Sequence, residues 1–273
     1  MNLADLPLPA AAGPSLPGPA GTQSLSRGLK LLRMVAKRPN VGWRLSDLAH
    51  ACGQDKATVH RMLACLVAER MLVQRSHDRH YLPGPLMYEL GLALPGHVQF
   101  QRGAEDTLAD FARRMSGIVL FQFRSGNEYV CSVRAGTLAM TGAMVYVGTR
   151  RPLLSSAGGV AIWQTLPAGQ ARDVLADNLE QEVRRHGTTR LAGLQQMLAE
   201  SDEHGFGVNL GYLVPGAHAF GVPVLGEHGQ AFAAVCLIGT PKMYGSERLQ
   251  ELHERLAQTA GALQEQARHC GVA

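Results

Sequence analysis

Two amphipathic runs meet at Gly53 with almost no chain between them. Upstream, Leu48, Ala49 and Cys52 recur at helical spacing; downstream, Val59, Met62, Leu63, Leu66 and Val67 do the same. Glycine adopts the left-handed conformation that ends one helix and lets the chain turn sharply into another. Ser46 is the expected N-cap of the first helix and Asp55 of the second, because their side-chain oxygens accept from the free N–H groups of a helix start. An earlier helix starts at Ser24, repeats Leu25, Leu29, Leu32, Val35 and Ala36, and stops at Pro39. Past the helix pair, Leu72-Val-Gln74 and Tyr81-Leu82 flank the polar stretch from Arg75 to His80, the pattern of a hairpin. Three helices and a hairpin over residues 24–84 make one small domain.

Ahead of it, residues 1–23 hold Pro7, Pro9, Pro14, Pro17 and Pro19 and read as a disordered tail. Behind it, Pro83-Gly-Pro85 and a short helix over Leu86 to Leu94, ending at Pro95-Gly96, predict a helical linker over residues 85–101. Residues 102–273 alternate element types. A helix is expected at Glu105 to Met115, and strands at Ile118 to Phe123, Glu128 to Val133 and Thr141 to Val147. An apolar helix follows Ser155-Ser156, polar helices lie near Gln170 to Asn178 and Arg190 to His204, and extended runs cover Phe206 to Leu210, Ala217 to Val224 and Ala231 to Ile238. A long helix from Ser246 to about Arg268 carries the stripe Leu249, Leu252, Leu256 and Leu263. Helices beside a mainly antiparallel sheet describe an α+β domain.

Charge separates the two parts. Residues 24–82 hold eleven Lys or Arg against four Asp or Glu, an excess of seven in a chain of net charge +4, so the remainder is net −3. A small basic module joined to a mildly acidic larger one is the footprint of a nucleic-acid partner on the first. The five cysteines are scattered, with no Cys-x-x-Cys pair, and read as reduced thiols of a cytoplasmic protein. No apolar run approaches membrane-spanning length and no export signal is visible.

A helix, a glycine turn, a second helix and a hairpin wing have a direct use on duplex DNA. The second helix fits the major groove, offering its N-terminal side chains to base edges while the first crosses the backbone. Lys56, Ala57, Thr58, His60 and Arg61 lie where such contacts fall. Arg61 suits a bidentate bond to guanine, Thr58 a phosphate or thymine methyl, and Lys56 a phosphate. Arg75 and Arg79 in the wing reach for the neighbouring backbone or minor groove, and Arg27 and Ser46 complete the candidate surface. The bland alternative is a three-helix packing module with a solvated basic face, serving assembly in a small-molecule-binding protein, an enzyme or a structural dimer.

Around Ser155-Ser156-Ala-Gly158-Gly159 a loop enters a helix, presenting hydroxyls and free backbone N–H groups to one spot, which suits a carboxylate or another acceptor-rich ligand. An ordinary cap with close-packing glycines fits the same residues.

The order of these segments resembles the IclR family of bacterial transcription regulators. The resemblance rests on Ser24-Leu-Ser-Arg-Gly-Leu-Lys-Leu-Leu, Leu45-Ser-Asp-Leu-Ala, Lys56-Ala-Thr-Val-His-Arg-Met-Leu and Tyr81-Leu-Pro-Gly-Pro, and continues through Arg151-Pro-Leu-Leu-Ser-Ser-Ala-Gly-Gly and Pro215-Gly-Ala-His-Ala-Phe-Gly-Val-Pro-Val. It implies a winged helix-turn-helix joined to a GAF-like α/β domain that binds a small organic effector, carboxylate or aromatic. It also implies a homodimer or dimer of dimers on a pseudo-palindromic operator. By motif position the ligand lies beside Ser155, Ser156, Gly158 and Gly159, facing Ala219 and Cys236 from the sheet and Met144 and Tyr146 from the preceding strand. Many relatives carry His at the position of Leu154, Lys at that of Val160 and Cys at that of Ala219; the apolar residues here imply a less polar effector, or one held by backbone groups.

Other signals carry little. Gly205-Phe-Gly-Val-Asn-Leu-Gly211 has the wrong spacing for a dinucleotide loop, and an extended run follows it. His77 and His80 lack the further ligands a metal site needs and read as exposed hairpin residues. His253-Glu254 lacks the second His of a zinc-protease helix, and no Gly-x-Ser-x-Gly elbow occurs. No catalytic residue, metal or cofactor is expected.

Overall fold

The computed structural model describes residues 22–139 and 145–272. These fall into two compact units, with the chain passing from one to the other between Pro95 and Gly96. The first 21 residues of the expected tail and most of the expected strand Thr141 to Val147, Met144 included, lie outside the described residues.

In the first unit, α1 (Gln23–Ala36), α2 (Leu45–Cys52) and α3 (Lys56–Ala68) precede a two-stranded antiparallel wing, β1 (Leu72–Gln74) and β2 (Tyr81–Pro83), followed by α4 (Pro85–Leu92). Leu31, Val35, Leu48, Val59, Leu63 and Leu72 are fully enclosed and form its core. Trp43 ties the loop before α2 to the wing, exchanging two backbone hydrogen bonds with Tyr81 at 3.1 and 2.8 Å. The Arg38 guanidinium lies 3.9 Å above the Trp43 ring.

Gly53 closes α2 at φ 62°, ψ 37°, the left-handed cap expected of it. Asp55 caps α3, accepting from the Thr58 N–H at 2.8 Å. Ser46 is not a cap: α2 starts one residue earlier, Arg44 holds the N-cap position, and the Ser46 hydroxyl donates to Asp47 at 3.1 Å. With Asp47 in the first turn, the helix dipole already meets a negative charge. On α1 the buried stripe is Leu31, Leu32 and Val35, whereas Leu25 and Leu29 face outward. The apolar repeat there continues past the intramolecular core.

The second unit is a six-stranded, wholly antiparallel sheet in the order β5-β4-β3-β8-β7-β6, between two helical layers. Its elements are α5 (Pro95–Met115), β3 (Ile118–Ser125), β4 (Glu128–Ala135), β5 (Arg150–Pro152), α6 (Ala157–Gln164), α7 (Ala168–His186), α8 (Leu191–His204), β6 (Gly207–Leu210), β7 (His218–Leu225), β8 (Ala231–Gly239) and α9 (Leu249–His269). Pro95-Gly96 opens α5 rather than ending a helix. Proline suits the first helical position, where its missing N–H costs nothing. The short strand β5 had no clear sequence signal, and the described residues 145–147 are not extended strand.

Alternation sorts the sheet. Val119 and Phe121 of β3, Val235 and Leu237 of β8, and Phe220 and Val222 of β7 pack under α5 and α9, where Leu252, Leu256 and Leu263 form the expected stripe. Ile118, Leu120, Ala219, Cys236 and Ile238 point to the opposite face, beside the start of α6. In β4 a register shift lets Phe121 face Val133 while Gln122 faces Cys131, so Ser132 is an extra residue. As a result Val133 joins the α5–α9 core, and Cys131, only two residues away, joins the other.

The Asp55 cap has a pH signature. Its bonds to Thr58 hold the carboxyl below its ordinary value. A depressed carboxylate stabilises the fold above its unfolded pKa and loses that contribution as pH falls through the folded value. Asp55→Ala is therefore expected to lower the melting temperature at pH 7, with the gap to wild type closing at acid pH, and Asp55→Ser to recover most of the loss. Thermal melts of the three proteins at pH 7 and pH 3 check this.

Candidate functional site

The expected recognition face of the first unit sits on α3. Lys56, Ala57, His60 and Arg61 are exposed on one side of this helix and Thr58 is half-buried; α3 contains no acidic residue. Arg61 donates to the Thr58 hydroxyl at 3.1 Å, which lays its guanidinium toward the helix start. Arg27 on α1 and Ser46 on α2 are also exposed.

The wing separates its two arginines. Arg75 donates to both carboxylate oxygens of Asp78, at 3.0 and 2.6 Å, and to the Val41 carbonyl at 3.1 Å, which fastens the turn. This guanidinium holds the Asp78 carboxyl well below the usual carboxylate range. Arg79 is exposed and left-handed, at φ 60°. His77 is exposed as expected, but His80 is not, lying with its ring 2.8 Å from an Asp78 oxygen.

In the second unit a small cavity lies between the start of α6 and the sheet, with an open volume of about 60 Å³. Four residues expected near a ligand line it: Ser155, Ser156, Ala219 and Cys236. The others fall elsewhere. Gly158 and Gly159 are buried packing positions, and Tyr146 is exposed, its backbone N–H bonded to the Thr149 hydroxyl at 3.0 Å. Val145 lines the cavity instead.

The expected free donors at the helix start are largely occupied. The Ser155 hydroxyl donates to the Pro152 carbonyl at 2.7 Å, the Ser156 oxygen accepts from the Gly159 N–H at 3.0 Å, and the Gly158 N–H bonds the Cys236 sulfur. Leu154 and Val160 also miss the cavity. They are buried against α7 and α8 with Leu175, Leu194 and Met197, so their apolar character reflects helix packing and says nothing of the ligand.

Polar residues that the sequence reading missed enter the lining: Gln122, Tyr129, Arg151 and Asn209. Gln122 resembles a solvent-facing strand residue in sequence, and the bulge in β4 hides the direction of Tyr129. Burial pushes the Tyr129 hydroxyl up to about 12, so it stays protonated at neutral pH. The Cys131 and Cys236 thiols are likewise pushed up to about 12 by burial, which removes both as thiolate nucleophiles.

A wider cleft, about 630 Å³, opens beside Arg113, Arg134 and Thr137, but it contains none of the residues expected from sequence. Glu200, Glu203 and His204 cluster on α8; Glu200 accepts from the Tyr212 hydroxyl at 3.1 Å and the Gln196 amide at 3.0 Å, ordinary bonds of a helix face. Gly205 is the left-handed cap of α8 and β6 follows it, which excludes a phosphate-binding helix start there. His253 stacks on Phe206, with centroids 4.4 Å apart.

Bare backbone seats α6 on the sheet. A Cβ at Gly221 would overlap Gly158, one at Gly207 the Ala157 carbonyl, and one at Gly159 the Leu153 carbonyl. Because all three obstacles are backbone, Gly159→Ala is expected to destabilise the protein by about 1–3 kcal/mol, whereas Gly169→Ala on exposed α7, with nothing near its Cβ, should be neutral or stabilising. Urea unfolding of both variants measures the contrast.

The chain matches two family models, the IclR helix-turn-helix domain over residues 24–76 and the bacterial transcriptional regulator IclR C-terminal domain over residues 96–265. It is 22% identical over 241 residues to the HTH-type transcriptional regulator KipR of Bacillus subtilis, covering 87% of this chain and 94% of that one. An IclR family regulator from Brucella abortus has the same fold, with a TM-score of 0.73 at 20% identity over 93% of this chain and 95% of its own. An IclR homolog from Microbacterium hydrocarbonoxydans, solved in complex with 4-hydroxybenzoate, matches with a TM-score of 0.63 at 19% identity, covering 90% and 99%. The chain therefore belongs to the IclR family of bacterial transcriptional regulators, with a helix-turn-helix DNA-binding unit followed by an effector-binding C-terminal unit.

Proposed function

We propose that this protein is a cytoplasmic, homo-oligomeric regulator that reads a pseudo-palindromic operator with α3 and the wing, and whose output is set by a small organic molecule in the cavity under α6. The observation that carries the reading is the exposed, acid-free face of α3, with Lys56, His60 and Arg61 side by side on a helix preceded by a glycine turn. Arg61 reads a base edge, Lys56 and Arg79 hold phosphates, and Arg75 keeps the wing in shape. Arg27, Ser46, Ala57 and Thr58 lie at the rim of the same contact.

Exposed apolar surface on the first unit supports self-association. No residue of α4 is buried, Tyr88 is 72% exposed, and Leu90, Leu92 and Leu94 are open, as are Leu25 and Leu29 of α1. Water-facing patches of this kind mark protein contacts. Two copies on one operator multiply phosphate contacts and match a two-fold site; whether the assembly is a dimer or a dimer of dimers leaves this unchanged.

The effector unit is read as GAF-like. One water needs about 10–15 Å³ by the same measure, so the cavity's open volume of about 60 Å³ suits a molecule of a few heavy atoms. Regulation without catalysis accords with the deeply protonated Cys131 and Cys236 thiols and with relatives named as regulators. Among the described residues no helix is long and apolar enough to cross a membrane.

Gel-shift titration against the DNA upstream of its own gene, at two salt concentrations, tests the core reading. Sequence-dependent, salt-sensitive binding is expected, and its absence at every salt would overturn it. Arg61→Ala should relax base preference, while Lys56→Ala weakens all sequences alike. In the wing, Arg79→Ala should reduce the salt slope by about one, and Arg75→Ala should also lower the stability of the free protein. Equal behaviour of the two wing variants in melts would remove the structural role of Arg75.

A further inference from the structure

Gln122 stands out among the cavity residues. Its side chain is fully enclosed, at 0% exposure, yet its Nε2 has no hydrogen-bond partner among the described residues. Its Oε1 is occupied: the Ser156 hydroxyl, whose oxygen already accepts from the Gly159 N–H, donates to it at 3.2 Å. With Oε1 turned to Ser156, Nε2 lies on the other side of the amide and finds no acceptor among the described residues. The amide also occupies space made for it, since a Cβ on Gly158 would overlap Oε1. Buried donors in native proteins almost always find acceptors, and an orphan one calls for a reason. Arg151 is the one cationic side chain among the described lining residues, and no carboxylate occurs among them. The lining thus holds one buried unpaired donor and no negative charge among its described residues.

We infer that Gln122 is the specificity-determining residue of this cavity, its Nε2 donating to a carbonyl or carboxylate oxygen of a small ligand, with Gly158 the companion that makes room for it. The inference rests on the reading of the cavity as the effector site. A ligand oxygen there would complete the amide's bonds, with Arg151 offsetting any negative charge and Leu120, Ala219 and Ile238 covering the apolar part. A donor-only ligand of the same size, such as an alkylammonium ion, would leave Nε2 unpaired and meet Arg151, and is rejected on both counts.

The test uses the full chain and two sets of probes small enough for the cavity: propionate, pyruvate and propionamide as acceptors, with ethylamine and propylamine, protonated at pH 7, as donor-only counterparts. Thermal shift selects binders and calorimetry gives Kd. At least one acceptor should bind the wild-type protein while its ammonium counterpart does not, and Gln122→Met should weaken that binding at least tenfold. The relative affinities of propionate and propionamide separate a charged from a neutral acceptor. Without any probe, Gln122→Met should melt within a few degrees of wild type, because loss of the Ser156 bond to Oε1 is offset by removal of a buried unpaired donor. Three results count against the inference. Equal Kd values for wild type and Gln122→Met dismiss Gln122 and leave the cavity as the effector site. No binding of any acceptor to the wild-type protein dismisses both. A probe-free melt of Gln122→Met lower by several degrees shows a structural amide and dismisses the inference alone.

Discussion

The second unit depends on a place where two pieces of backbone touch. Gly158 rests on Gly221 of β7, and the Ala157 carbonyl on Gly207 of β6, at separations that no side chain could share. This contact brings the first turn of α6 down to the sheet surface and sets the height of everything that follows it. Further along the same face the sheet carries Leu120, Gln122 and Cys236, and the shallow space between these side chains and the loop before α6 becomes the cavity. A helix held one side chain further off would leave a wide slot in place of a small enclosure. The glycines of the Ser155–Gly159 segment are thus instruments of packing, and the polar lining of the cavity comes from Ser155, Ser156 and residues on the strands.

The first unit was legible because its determinants are local. Gly53 and Asp55 declare a helix stop and a helix start by their own conformational preferences, and both do so in the structure. The hairpin is equally local, and Tyr81 pairs with Gln74 as the flanking runs require. The failures there are failures of degree. Ser46 has the chemistry of a cap but lies one residue inside the helix, and Leu25 and Leu29 continue an apolar repeat whose partner is not in the chain's own core.

In the second unit the element order was legible apart from β5, but the direction of individual side chains was not. Proline at 95 is as fit for the end of a helix as for a beginning, and here it begins one, so α5 starts ten residues before the expected helix start at Glu105. Leu154 and Val160 flank the cavity in sequence, yet helix geometry turns them to α7 and α8. Gln122 was invisible as a site residue because a polar side chain at the end of an apolar strand reads as one facing water. Only the sheet register and the position of α6 show that it is enclosed. Sequence conveys the period of a strand, and the tertiary fold decides which phase is the inside.

The extra residue at Ser132 makes β4 a strand that changes sides. Its first half gives Tyr129 and Cys131 to the cavity face, and its second half gives Val133 to the core beneath α5 and α9. Residue parity therefore has no single meaning along this strand. When relatives are aligned, a gap misplaced by one position near 132 would exchange cavity-facing residues for core residues without disturbing the apparent hydrophobic pattern. Comparisons of side chains within the family have to be anchored on the position of the bulge, and a relative without it would present a different set of β4 side chains to the corresponding cavity even where the sequences look alike.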